Sequence, residues 1–277
     1  MDKPSVLIAV VLYKCNLEES QTWASLIVCR DHWHEKTRVL VFDNSPVALS
    51  KSDQNQIAST GNSSGYLHSP DNISLAKIYN AAIQKRNGED FLMLLDQDSE
   101  FDSRFFSEFY LKANLHPDID LFLPYVVHNN NVVSPGNWLG YKGRYWKNLQ
   151  TGIVDSKNLT AIASGMLIRF TYLAHDSMHF DETFVLYGID TYFMQKYSKR
   201  RRSAFVLNYE LKHDLSIYSE TSEETRLFRF RNFFSSTLLL TKESAIKRTK
   251  ALIYLFYKSI EQSIKNRDIR YFTTWFE

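Results

Sequence analysis

Cysteine is scarce: 277 residues carry two, Cys15 and Cys29. Their spacing matches neither a zinc site nor a disulfide framework, so both are expected as free thiols in a reducing cytoplasm. No apolar run reaches the ~18 residues of a spanning helix, so no segment is expected to cross a membrane. Met1-Asp2-Lys3-Pro4 leads straight into an apolar run with no basic region or cleavage site, so no signal peptide is expected. Asn62-Ser63-Ser64, Asn72-Ile73-Ser74 and Asn158-Leu159-Thr160 match the glycosylation pattern, which means nothing without secretion. Internal repeats and low-complexity tracts are missing as well, and no nucleic-acid partner is expected.

What remains is an ordinary folding composition, 44% hydrophobic and 23% charged, with 14% aromatic residues on the high side. The net charge of +2 hides an asymmetry. Residues 224–277 hold 11 Lys/Arg against 5 Asp/Glu, and the rest of the chain holds 22 against 26. A basic, aromatic tail on an acidic-leaning body points to an anionic surface as the tail's partner.

Val6-Leu7-Ile8-Ala9-Val10-Val11-Leu12-Tyr13 is continuously apolar, as for a strand covered on both faces. The pattern then predicts a helix over 17–30, a strand at 38–42, and a loop or short irregular helix over 50–65. A short strand follows at 66–68, then a helix through 74–83 capped by Asp71 or Asn72. Strands at 91–95 and 121–127 flank a helix over 103–114. Such alternation predicts a mostly parallel sheet with right-handed crossovers. Residues 128–155 lack a period and read as a hairpin or mobile loop. A strand over 161–170, a helix over 190–199, a strand at 204–207 and two helical segments from 223 complete the pattern.

Phe91-Leu92-Met93-Leu94-Leu95-Asp96-Gln97-Asp98 carries the most chemistry. Two carboxylates at i and i+2 beyond a buried strand point to the same side, where both can face one cation. Mg²⁺ and Mn²⁺ favour such oxygens and complete their shell with water and phosphates. A solvated acidic turn is the alternative for the motif taken alone.

Other positions fall around it. Asp43 ends the second strand, and Asn72-Ile73-Ser74-Leu75-Ala76-Lys77-Ile78-Tyr79-Asn80 opens a helix. Ala163-Ser164-Gly165-Met166 precedes a strand. Phe180-Asp181-Glu182-Thr183-Phe184-Val185-Leu186-Tyr187-Gly188-Ile189-Asp190 is an acidic loop leading into a helix, and His213 lies beyond the last predicted strand. In this order, over about residues 5–240, these pieces resemble the inverting family-2 glycosyltransferases of GT-A fold, particularly the bacterial rhamnosyltransferase-like branch.

The resemblance implies an α/β fold of GT-A type, a mostly parallel Rossmann-like sheet flanked by helices with a C-terminal helical extension. A catalytic domain would span 1–220 and a basic amphipathic extension 221–277. Asp43 would hold the donor's base, with Asn72, Ala76, Asn80, Asp96 and Gln97 also on the donor side. Asp98, Asp96 and His213 would hold Mn²⁺ or Mg²⁺ on the donor diphosphate. Asp190 would be the general base, and Ser164, Gly165 and Tyr187 would face the acceptor. The family's Glu before Asp190 is Ile189 here, its later acidic position is Tyr192, and its Arg is Lys196. Asp181 and Glu182 are therefore rivals for the base, or turn caps.

The implied donor is dTDP-L-rhamnose, with a UDP-hexose (galactose, galactofuranose or glucose) as alternative. The implied acceptor is a polyprenyl diphosphate-linked saccharide of bacterial O-antigen or capsule synthesis, which places the protein in the cytoplasm, peripheral on the inner face of the cytoplasmic membrane. Ala251-Leu252-Ile253-Tyr254-Leu255-Phe256-Tyr257, flanked by Lys247, Arg248, Lys250 and Lys258, suits an interfacial helix. The same tail offers a homodimer surface or a helical cap. Lys199-Arg200-Arg201-Arg202 reads as a solvated helix end, or as a further anionic contact. A phosphohydrolase of the haloacid dehalogenase type is disfavoured, because its Asp-x-Asp follows the first strand. A non-catalytic nucleotide-sugar or glycan-binding subunit remains the other class.

Overall fold

The computed structural model describes residues 3–175, 178–201, 203–214 and 222–276. The first strand, β1 (Val6–Leu12), is buried along its whole length. It is followed by α1 (Gln21–Cys29), β2 (Arg38–Asp43), α2 (Lys51–Ser59), β3 (Gly65–His68), α3 (Leu75–Gln84) and β4 (Phe91–Asp96). Serines cap all three of these helices, and at α1 Ser20 accepts the Trp23 amide at 3.1 Å. Ser50 accepts the Asp53 amide at 3.1 Å and Ser74 the Lys77 amide at 3.4 Å. Ser74, and not Asp71 or Asn72, is therefore the cap of α3, and α2 is a regular helix where only an irregular one was expected.

The chain continues through β5 (Ser99–Glu100), α4 (Ser103–Leu115) and β6 (Leu121–His128). The hairpin or loop expected over 128–155 is folded into β7 (Asn131–Ser134), β8 (Gly136–Trp138), β9 (Gly143–Tyr145) and β10 (Gly152–Asp155), with β7 antiparallel to β6 and β9 to β8. Then come β11 (Leu159–Thr160), β12 (Leu167–Arg169), α5 (Phe170–His175), α6 (Ile189–Arg200) and β13 (Ser203–His213). The C-terminal part holds α7 (Glu223–Leu240), α8 (Ala245–Asn266) and α9 (Arg270–Thr273).

The main sheet runs β10-β13-β6-β12-β4-β1-β2-β3, and β11-β8-β9 form a second, small sheet. β4, β1, β2 and β3 are mutually parallel, as are β6 and β13. The short β12 is antiparallel to both β4 and β6 and joins the two halves. Strand β13 reaches His213, so this residue ends a strand instead of lying beyond one.

Alternation along the strands builds two cores. Leu7, Ala9, Val11, Leu40 and Phe42 face α3 and α6, through Ile78, Tyr79, Phe193 and Tyr197. Val6, Ile8, Val10, Val39 and Val41 face α1 and α4, through Trp23, Leu26, Phe105 and Phe109. A third cluster, Leu227, Phe230, Phe234, Leu255 and Tyr271, belongs to the C-terminal helices. These helices pack onto the sheet-bearing part. Ser236 donates to the Tyr187 carbonyl at 2.7 Å, and Tyr254 meets Tyr141 edge-on with ring centroids 5.7 Å apart. Both cysteines are free.

Candidate active site

The parallel strands end together. Leu12 lies opposite Asp43, and Val11 opposite Asp96, so both carboxylates sit at the C-terminal edge where open α/β sheets bind ligands. Ser164 Oγ donates to Asp96 Oδ2 at 2.7 Å. His213, at the end of β13, reaches between the two carboxylates. Its Nδ1 is 3.0 Å from Asp98 Oδ1 and its Nε2 is 3.9 Å from Asp96 Oδ2. Burial pushes the Asp96 carboxyl up, against the pull of His213 and the Ser164 hydroxyl. For His213 burial pulls down, but Asp98 and Asp96 outweigh it and the pKa is raised, which favours imidazolium between the two carboxylates.

The donor set suits a hard cation. Asp98 Oδ1 is buried, and the His213 Nδ1 lies 3.0 Å from it. Among the described residues no group of three or more His, Cys, Asp or Glu side chains is arranged to hold a metal ion.

Asp190 stands in the first turn of α6, behind a left-handed Gly188 with φ 84°. A Cβ on Gly188 would come within 2.9 Å of Phe184 and 3.3 Å of Ser236, so glycine allows α7 to approach this turn. Burial pushes the Asp190 carboxyl up to about 6, opposed by the Thr191 amide and hydroxyl and assisted by the charge of Asp96. Asp96 and Asp190 both act on the buried Tyr79 hydroxyl, whose pKa is raised chiefly by burial. The two carboxylates thus share one electrostatic neighbourhood, across a tyrosine the sequence pattern marked only as part of a helix.

A cavity of about 850 Å³ opens beside Asp190. Thr160, Tyr187 and Asp190 line one side, and Arg226, Arg229 and Lys258 are among the residues from α7 and α8 that line the other. Burial raises the Tyr187 phenol, with Arg229 lowering it in part, and its hydroxyl is buried without a hydrogen-bond partner.

By sequence, no protein-family model and no curated protein matches the chain. Solved structures do match it. Staphylococcus aureus TarS superposes with TM-score 0.57 at 15% identity, over 84% of this chain and 40% of that protein. This chain therefore spans well under half of that relative. Residues 1–349 of TarS in complex with UDP-GlcNAc give TM-score 0.56 at 15% identity, over 91% of this chain and 73% of that one. GalNAc-T7 with UDP, GalNAc and Mn²⁺ gives 0.58 at 13%, over 85% and 48%. The chain has the GT-A fold.

Within the GT-A fold the expected site residues divide. Asp96, Asp98, His213 and Ser164 come together, and Asp190 and Tyr187 line the adjoining cavity. Ser164 belongs with the carboxylates, since its hydroxyl is spent on Asp96. Gly165, with φ 81°, is wedged beneath, where a Cβ would lie 2.6 Å from Pro124 and 2.8 Å from Leu211. It is packed against these two side chains.

Four residues expected on the donor side have partners within the protein. Ala76 is fully buried in the core, because the helical period turns it toward the sheet. Asn80 bonds the Phe180 amide at 2.8 Å, the Phe180 carbonyl at 2.9 Å and Glu182 at 2.9 Å, so it holds the acidic loop. Gln97 Oε1 accepts the Tyr13 amide at 2.7 Å. Asn72, at φ 48°, accepts from Asn44 at 2.9 Å. Asp43 is fully buried and accepts from the Ser45 amide at 3.0 Å, the Leu49 amide at 3.2 Å and the Tyr66 hydroxyl at 2.5 Å. It organises the loop after β2, and Tyr66 is pushed up to about 12 by burial and by that bond. Asp181 caps its own turn through Thr183.

In the basic run at the end of α6, Lys199 pairs with Glu243 at 3.2 Å and Arg201 with Asp120 at 2.5 Å. Arg202 lies outside the described residues, as does the expected division at 220/221.

Proposed function

We propose that the protein is a metal-dependent inverting glycosyltransferase that moves a hexosyl group from a nucleotide sugar to a hydroxyl of a lipid-linked saccharide. One observation carries this reading. The Asp96–Asp98–His213–Ser164 cluster stands at the C-terminal edge of the sheet of a GT-A fold, and the charge of its Asp96 acts on Asp190, which lines a cavity. Asp98 and Asp96, with His213, would hold Mn²⁺ or Mg²⁺, which supplies charge neutralisation for a departing nucleoside diphosphate. Ser164 fixes the Asp96 rotamer, and the loop that Asp43 organises forms the base side.

Asp190 accepts the proton of the acceptor hydroxyl as that oxygen attacks the anomeric carbon. A pKa of about 6 leaves it ionised at neutral pH while keeping it basic enough for the transfer. Resemblance to the rhamnosyltransferase-like branch supports dTDP-L-rhamnose as donor. The bound UDP and UDP-GlcNAc of the TarS structures support a UDP-hexose equally.

We further propose that α8 rests on the inner face of a bacterial cytoplasmic membrane. Among the described residues no helix is long and apolar enough to cross one. Ile246, Ile253, Tyr257, Ile260 and Ile264 are all exposed along α8, and their spacing makes one stripe. The cavity-lining row of Tyr254, Lys258, Gln262 and Lys265 occupies the opposite side of that helix. Lys247, Arg248 and Lys250 suit anionic headgroups.

A thermal-shift panel of dTDP, UDP, GDP and CMP, each with Mn²⁺, Mg²⁺ or EDTA, tests the reading. A ligand at 100 times its Kd adds about 2.7 kcal/mol, a shift of several degrees. A dTDP or UDP shift that EDTA removes is the expected result. No shift with any nucleotide would overturn the transferase in favour of a scaffold or glycan-binding subunit.

A further inference from the structure

The two oxygens of the Asp190 carboxylate are held differently. Oδ1 accepts the Thr191 amide at 2.6 Å and faces the Thr191 hydroxyl at 3.4 Å. Among the described residues no hydrogen bond from another residue reaches Oδ2. An ionised carboxylate only accepts, so the Thr191 hydroxyl spends its one hydrogen on Oδ1. Its lone pairs are left for a donor, and the Thr160 hydroxyl lies 3.5 Å away. The bonds therefore run one way, from Thr160 through Thr191 to Oδ1. Thr160 is set in place by the small sheet, since it ends β11 opposite Gly136 of β8. Both threonines line the cavity together with Asp190. Such hydroxyl contacts are often long until a substrate binds, and successive hydrogen bonds polarise one another.

We propose that Thr191 and Thr160 are positioning residues that lock Oδ1 of Asp190, so that Oδ2 alone receives the proton of the acceptor hydroxyl. The proposal rests on the transferase reading and deepens it by naming the working oxygen. A carboxylate free to turn about its Cβ–Cγ bond offers either oxygen at varying angles. One held through Oδ1 offers Oδ2 in a fixed direction, on which proton transfer depends. As the hydroxyl oxygen bonds to the anomeric carbon, its proton passes to Oδ2. The bond from that carbon to the diphosphate oxygen breaks, and its electron pair leaves on the nucleoside diphosphate. The Thr191 hydroxyl also favours the ionised carboxylate, against the burial that raises it. Other groups bear on the same carboxylate. Asp96 on β4 acts on it directly, and Tyr79 on α3 feels both charges. Along the cavity stand Tyr187, Arg144 on β9, Arg226 and Arg229 on α7, and Lys258 and Lys265 on α8. None of these changes when a threonine is exchanged, so titrations compared between threonine variants read the hydroxyls.

The test is a carbon-13 NMR titration of the Asp190 carboxyl in the full chain, assigned by the signal that Asp190→Asn removes. Thr191→Val keeps the branched shape and the amide bond and loses only the hydroxyl. Asp190 should titrate roughly 0.5–1 pH unit higher in Thr191→Val, return to the wild-type value in Thr191→Ser, and move less in Thr160→Val. The double variant T160V/T191V should match Thr191→Val alone, because Thr160 acts only through Thr191. Transfer, followed with the donor that the nucleotide panel selects, should lose about 3- to 10-fold in kcat in Thr191→Val with KM unchanged. The acid limb of its pH profile should move up together with the titration.

An Asp190 titration unmoved in Thr191→Val, or moved equally in Thr191→Ser, would overturn the proposal. So would effects of the two valines that add, or a titration that moves while kcat does not. A retained EDTA-sensitive dTDP or UDP thermal shift shows that each variant folds and that its donor half is intact. If Asp190→Asn loses transfer while Thr191→Val keeps the wild-type titration and kcat, only the positioning role falls. If wild type shows no nucleotide shift, or Asp190→Asn keeps transfer, the reading of Asp190 as the base of a transferase falls, and the proposal falls with it.

Discussion

Replacing Asp190 by Asn should inactivate the protein and stabilise it at once. The carboxyl is pushed from an ordinary 3.8 up to about 6, mainly by burial. A raised acid pKa means that the folded state holds the proton more tightly than the unfolded chain. The ionised side chain therefore destabilises the fold above pH ~6, and this cost vanishes below pH ~4. Two units correspond to ~3 kcal/mol, and Asn keeps an oxygen able to accept from the Thr191 amide. At pH 7.5 the variant should melt roughly 4–10 °C above wild type, and the gap should shrink on descending to pH 4.5. Transfer, followed as nucleoside diphosphate released from whichever donor the panel selects, should drop about 10²- to 10⁴-fold. The nucleotide-induced thermal shift should persist. Transfer within tenfold of wild type would remove Asp190 from the base role. A variant less stable than wild type at pH 7.5 would show that the carboxylate is held by favourable contacts and not strained by burial.

Asp98→Asn should abolish the EDTA-sensitive part of the nucleotide shift and weaken nucleotide binding at least ~10-fold, since a charge facing the cation is lost; titration with and without Mn²⁺ reads this. The rate constant kcat/KM of wild type should fall tenfold per pH unit below about 6 and level off above it, the signature of an ionised Asp190. Gly165→Ala, with its Cβ 2.6 Å from Pro124 and 2.8 Å from Leu211 at φ 81°, should cost ~2–4 kcal/mol in urea unfolding. Asn80→Leu leaves the Phe180 amide without its acceptor. It should cost ~1–3 kcal/mol and speed hydrogen exchange over residues 180–190, with nucleotide binding unchanged.

The parallel half of the sheet was legible because burial on both faces leaves uninterrupted apolar runs such as Val6–Leu12 and Phe91–Asp96. β13 was read as four residues, though it runs from Ser203 to His213, because its second half alternates exposed Asn208, Glu210 and Lys212 with Leu211 and His213. The antiparallel insertion of β12 leaves no local mark, since pairing partners lie far apart in sequence. The Asp96–Asp98 pair stands out in the sequence, but Asp98 lies in the turn after β4, where strand alternation no longer sets its side. Motif position alone does not show that Ala76 is buried in the core or that Asn80 and Gln97 bond the backbone of Phe180 and Tyr13; helix phase and hydrogen bonds do. Arg226 and Arg229 of the cavity wall were present in the sequence at i, i+3, but nothing local says that α7 folds back against Tyr187.

That fold-back divides the crevice between two authors. The ion-side carboxylates stand on β4 and on the turn after it, whereas one whole wall of the adjoining cavity is contributed by a stretch more than a hundred residues later. The contact between them is narrow at its centre, a serine hydroxyl of α7 on the carbonyl of Tyr187 beside a glycine. Substitutions along the cavity-lining side of α7 and α8 should alter what enters next to Asp190 and leave the strand-end carboxylates in place. A chimera that exchanges residues 222–276 between two chains of this build should inherit its donor from one parent and its acceptor from the other.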